Sequence, residues 1–230
     1  MINSLIGFIS FALMITIVVG WHELGHYLAA RILKVKVTEF QIGFGPKLFG
    51  FKDKNGTMWS LRSIPLGGGV ELPEIESISP LKKFITLFAG PFFSLMPLLI
   101  VEIVLAINGM PSLTVKLFNL IASQGIHLKD FGSIISMYSF TSKVTQGSTG
   151  MLFLAKFIKL TFLLSVDVGI MNLLPIPPLD GGRMILSILE AFASKMIYKA
   201  TERALIFIGV FLLGVMFVIA IYNDIVRLLN

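Results

Sequence analysis

The sequence predicts an α-helical integral membrane protein. About four transmembrane helices are expected, with a small membrane-associated β-hairpin or sheet between the first and second. Three observations carry this. The chain of 230 residues is 55% hydrophobic and 14% charged, where soluble domains carry about 25% charged residues. Its mean hydropathy is +0.88. Four long apolar segments punctuate it, and a β-patterned stretch follows the first. The chain reads as a single membrane-embedded domain over 1–230.

The apolar segments run at about 5–33, 84–107, 160–174 and 204–221. Each approaches the length needed to cross about 30 Å of hydrocarbon at 1.5 Å per residue. The third is short, and a proline-rich break follows it. The first has no positive n-region and no small-residue cleavage site, so it is expected to be a retained helix and not a signal peptide.

Between the first two segments, at about 37–72, Val37 to Phe51 and Thr57 to Val70 are rich in β-formers. Lys52-Asp53-Lys54-Asn55-Gly56 between them makes a hairpin turn. Gly43-Phe44-Gly45-Pro46 and Gly67-Gly68-Gly69 interrupt the strands. Two readings stand: a plain surface sheet, or an edge that receives an extended peptide. Residues at about 109–150 form a connector. Leu113, Leu117, Leu120 and Ile121 in it have helical spacing, for a helix lying on the membrane or a simple link. His127 falls here.

Lysine and arginine set the orientation. Nine lie between the first and second segments, from Arg31 to Lys83, and four between the third and fourth, from Arg183 to Arg203. Six lie on the opposite side. Both termini are therefore expected outside a multi-pass cell membrane. The net charge of +6 reflects this topology. No basic clusters interleaved with aromatics suggest nucleic acid. With no cysteine, disulfides and cysteine metal sites are excluded.

His22-Glu23-Leu24-Gly25-His26 is an H-E-x-x-H motif at the end of an uncharged run, Leu5 to Trp21. On a helix, positions i and i+4 share a face, so both imidazoles reach one zinc ion with the glutamate beside them as general base. A catalytic zinc usually has three protein ligands and an open position. Asp180, in Asn172 to Gly182, is the best candidate for the third. Pro175, Pro177 and Pro178 cannot continue a helix, and such a break at membrane depth must be buried in protein or line a polar cavity. Counting about 17 residues of helix from the outer face to His22, and about 15 from Leu160 to Leu174, brings both elements to the cytoplasmic half of the bilayer. Glu102 and Asp167 are also intramembrane acids, ranked below Asp180 because their depth matches less well. Asp167 is placed to pair with Lys159 or to face the cavity.

His22 to His26 together with Asn172, Pro175, Pro177, Leu179, Asp180 and Gly181 resembles the site-2 protease family of intramembrane zinc metalloproteases. Ile42-Gly43-Phe44-Gly45, Ile64-Pro65-Leu66-Gly67-Gly68, Ala89-Gly90-Pro91 and Asn223-Asp224 look like its bacterial branch, which cuts anti-sigma factors and signal-peptide remnants. The resemblance covers nearly the whole chain outside the connector. It implies Zn2+ held by His22, His26 and Asp180, Glu23 as catalytic base, and Asn172 on the substrate backbone. Strands flanking Gly43, Phe44 and Gly45 would hold substrate extended. Expected partners are a single-pass transmembrane protein or a signal-peptide substrate, and membrane lipid.

The chain departs from the family pattern in two places. The connector is too short for the PDZ domains that bacterial relatives commonly carry. Ser94 stands where the family's A-G-P-x-x-N has asparagine. Among other readings, an inactive membrane scaffold or chaperone binding transmembrane helices would not need the intact Glu23 and ligand set. A zincin with a soluble catalytic domain lacks its soluble region. A metal transporter lacks polar residues strung along a path.

Overall fold

The computed structural model describes residues 2–116, 119, 141, 150–192 and 195–229. Helix α1 (Ile2–Ile32) is followed by strands β1 (Glu39–Lys52) and β2 (Met58–Glu71), then by α2 (Pro80–Ile107). Beyond the connector come α3 (Gly150–Asn172), α4 (Asp180–Phe192) and α5 (Lys195–Leu229).

Among the described residues, three helices are long and apolar enough to cross a membrane: 6–32 within α1, 80–107 within α2 and 201–226 within α5. The expected third span lies in α3, which begins at Gly150 and so extends about ten residues ahead of Leu160. Its 23 residues carry Lys156, Lys159 and Asp167, and these charges hold α3 outside the apolar class. Leu117, Leu120, Ile121 and His127 of the connector lie outside the described residues.

Helix α1 organises the rest. Its N-terminal half packs Phe11, Met14 and Val18 against Leu160 and Leu164 of α3. Its C-terminal end packs Tyr27 and Ala30 against Val35, Val37 and Phe40, at the base of the sheet. Apolar burial on this scale, about 25 cal/mol per Å², fixes both the sheet and α3 relative to the same helix.

The two strands each bend midway, so that their halves make different pairs. The hairpin halves are antiparallel: Lys52 faces Met58, Phe51 faces Trp59 and Gly50 faces Ser60. Residues 39–42 run parallel to 58–61 on one side and antiparallel to 68–71 on the other, Ile42 facing both Leu61 and Gly68. The bend in β1 falls where Gly43 and Gly45 have φ of 87° and 81°, a region that favours glycine. Residues 68–71 therefore form one edge of the sheet. The expected turn is present: Asp53 accepts from the Asn55 and Thr57 amides, both at 2.9 Å. Trp59 Nε1 also donates to Asp53, at 3.1 Å. That bond first, then the two amides, holds the Asp53 carboxyl below the usual aspartate range.

A candidate metalloprotease centre

Two successive turns toward the C-terminal end of α1 carry very different chemistry. Four residues per step put His22 and His26 on one face, and both rings are buried, at 5% and 8% exposure. Burial of two imidazoles needs partners for every ring nitrogen. Helix α2 supplies the outer ones. His26 Nδ1 lies 2.7 Å from the main-chain oxygen of Thr86, and a carbonyl only accepts. His26 therefore carries its proton on Nδ1, and the neutral ring presents a bare Nε2. His22 Nδ1 lies 2.9 Å from Ser94 Oγ. Ser94 is fully buried and is itself fixed, its main-chain oxygen accepting from Ser165 Oγ of α3 at 2.8 Å.

The inner nitrogens converge on α4. After α3 ends at Asn172, the proline turn reverses the chain and α4 starts at Asp180. Asp180 Oδ2 lies 3.0 Å from His22 Nε2 and 3.2 Å from His26 Nε2, and the two Nε2 atoms are 3.2 Å apart. Three potential electron-pair donors at this spacing could share one cation. Tetrahedral zinc, with bonds of about 2.0–2.1 Å, sets neighbouring ligand atoms about 3.3 Å apart. Donor chemistry and size both fit, and three protein ligands leave a position open. Among the described residues this is the cluster able to hold a metal.

The cluster opens on a cleft of about 720 Å³. Glu23 lines it, as do Asn172, Phe44, Thr86 and the sheet edge from Gly67 to Val70. The edge passes tightly over Glu23: a Cβ on Gly68 would stand 2.8 Å from Val19 Cγ1 and 3.2 Å from Glu23 Cγ.

A family model described as peptidase family M50, the site-2 protease family, matches residues 10–216. This chain belongs to peptidase family M50. Curated relatives agree. A Campylobacter jejuni protein provisionally named a zinc metalloprotease is 26% identical, over 98% of this chain and 95% of its own length. One from Rickettsia conorii with the same provisional name is 25% identical, over 99% of each. One from Brucella suis is 40% identical across a shorter stretch, 38% of this chain and 29% of its own. The first two alignments extend over 354 and 366 positions, against 230 residues here, so these relatives carry internal segments that this chain lacks. The M50 peptidase is thus a membrane metalloprotease.

Within this M50 peptidase the structure gathers His22, Glu23, His26, Asn172 and Asp180 around one cleft. Of Gly43, Phe44 and Gly45, Phe44 alone lines it; the two glycines bend the strand beside it. Glu102 is elsewhere, capping the next segment through the Thr114 amide and hydroxyl at 2.6 and 2.7 Å. Asp167 is exposed on α3, makes no ion pair among the described residues and does not line the cleft. Sequence reasoning did not assign Thr86, Gly90 or the Gly67–Gly69 edge to the site. The glycine triplet was a visible signal, though it read only as a break in a strand.

Proposed function

We propose that this M50 metalloprotease hydrolyses peptide bonds within or near transmembrane segments of other membrane proteins. Zinc is held by His22, His26 and Asp180. The observation that carries the reading is the meeting of the three ligand atoms at 3.0–3.2 Å, two of them on a helix long and apolar enough to cross a membrane. Zinc, when bound, supplies Lewis-acid polarisation and a lowered water pKa.

The chain's own residues do the rest. Glu23 takes a proton from the attacking water as its oxygen bonds to the carbonyl carbon. It returns that proton to the leaving nitrogen as the C–N bond breaks. A helical substrate hides its carbonyls in its own hydrogen bonds and must unwind first. The edge at 68–71 offers replacement backbone bonds directly over Glu23. Asn172 has one amide hydrogen on the Val168 carbonyl, at 3.0 Å, and its second hydrogen and its oxygen serve the unwound backbone. Substrates are single-pass proteins of the anti-sigma factor or signal-peptide remnant type, in a multi-pass arrangement with both termini outside and the site toward the cytoplasm.

Co-expression tests this. Wild type and Glu23→Gln are each produced with candidate single-pass proteins and signal-peptide remnants. Wild type is expected to deplete a subset that accumulates intact with Glu23→Gln. Equal cleavage by both would end the reading.

A further inference from the structure

Helix α2 contributes more than a carbonyl to the centre. Thr86 is 1% exposed, lines the cleft and carries the one hydroxyl among the residues described there. That hydroxyl is enclosed and has no hydrogen-bond partner. Threonines on α1 and α3 solve the same problem locally. Thr16 donates to the Ala12 carbonyl and Thr161 to the Phe157 carbonyl, each at 2.8 Å, one turn back. The same option at Thr86, toward Lys82, is not taken. A buried hydroxyl left unpaired is unfavourable, and a catalytic role is one of the explanations such a group has in native proteins. Meanwhile the Thr86 main chain is fixed, since its oxygen receives His26 Nδ1–H at 2.7 Å. The residue whose hydroxyl is unpaired therefore also orients a candidate ligand through its main chain.

Resting on the proteolysis reading above, we infer that Thr86 is a further catalytic residue, its hydroxyl donating a hydrogen bond to the oxygen of the scissile carbonyl. As water's oxygen bonds to the carbonyl carbon, the C=O π pair moves onto that oxygen, and a fixed donor there is stronger in the transition state than in the ground state. Glu23 carries the water's proton until it passes to the leaving nitrogen; Thr86 keeps its own and only shares it. Asn172, one of whose amide hydrogens is already committed, is left to the substrate backbone.

The test uses the full chain in detergent with a helical single-span peptide, and Thr86→Val, Thr86→Ser and Glu23→Gln variants. Valine matches threonine in shape and removes only the hydroxyl. Removing one such donor costs about 100-fold in kcat. Thr86→Val is expected to lose about that much in kcat, with KM within about twofold, bound zinc at the wild-type ratio and Tm not lowered. Thr86→Ser is expected to recover most of the rate. Wild-type kcat in Thr86→Val overturns the inference. So does a fall in zinc or Tm alongside activity, the mark of a structural hydroxyl. If wild type cleaves no faster than Glu23→Gln, the proteolysis reading itself fails and Thr86 falls with it.

Discussion

Gly90 lies directly against His26: a Cβ added to the glycine would stand 2.2 Å from His26 Nε2 and 2.8 Å from His22 Nε2. The side chain missing from α2 is therefore the space into which both ligand nitrogens point. Gly90→Ala is expected to displace the rings and to cut bound zinc to about a tenth or less, since ligand geometry is held within about 0.2 Å in such sites. Elemental analysis of purified protein measures it. Gly214→Ala, where a Cβ meets nothing within 4 Å, is the control and keeps its zinc. Full zinc in Gly90→Ala would show that the rings move aside freely.

Much of this site was legible, and the reason differs by residue. His22, Glu23 and His26 are four residues apart at most, so helical periodicity alone places them together. Asp180 is 158 residues from His22 in sequence, yet prolines at membrane depth restrict where its turn can sit. Thr86 was not legible as a site residue, and Gly90 and Ser94 were marked only by the resemblance, without a role at the ligands. Their roles come from how closely α2 crosses α1, and a lone Thr or Ser in an apolar helix carries no periodic signal. The sheet illustrates the same limit. Its existence followed from β-patterning and the Asp53 turn, but which edge faces Glu23 depends on bends at Gly43 and Gly45 that reorder the half-strands.

Ser94 orients a ligand: its Oγ meets His22 Nδ1 at 2.9 Å. Partners of this kind fix the tautomer and angle of a ligating imidazole, and their loss typically weakens metal binding 10- to 100-fold. Ser94→Ala is expected to weaken zinc affinity by about that range, read by competition against a chelator of known affinity. Unchanged affinity would mean that burial alone holds the ring.

Asn172 lines the cleft without touching the ligand cluster. Asn172→Leu is therefore expected to keep zinc at wild-type stoichiometry and to lower kcat/KM. A neutral hydrogen bond contributes about 0.5–1.5 kcal/mol net, so the loss is about two- to thirteenfold per bond to substrate. Steady-state kinetics with a helical peptide gives the number. Zinc loss in this variant would place Asn172 with the ligands instead.

Lys83 and Glu190 tie the two halves of the site together. Lys83, 3% exposed on α2, has Nζ 2.8 Å from Glu190 on α4 and 3.3 Å from Glu76. Helix α2 also carries Gly90 and Ser94, and α4 begins at Asp180, so the pair fixes the distance between ligand supports. Removing one partner of a buried pair strands the other, whereas replacing the buried ion itself by an apolar chain of similar length is far less costly. Glu190 is 22% exposed and Glu76 remains near Lys83, so the penalty for Glu190→Ala is about 2 kcal/mol, below the full range for breaking a buried pair. For a chain of this size that is about 4–8 °C in Tm. Lys83→Met is expected to shift Tm by less than half as much, because Glu190 regains water while the methionine packs in the lysine's place. Thermal unfolding of both variants in one detergent settles the order. A larger loss in Lys83→Met than in Glu190→Ala would mean that the lysine does more than neutralise its glutamate, and that its further contacts hold α2 in place.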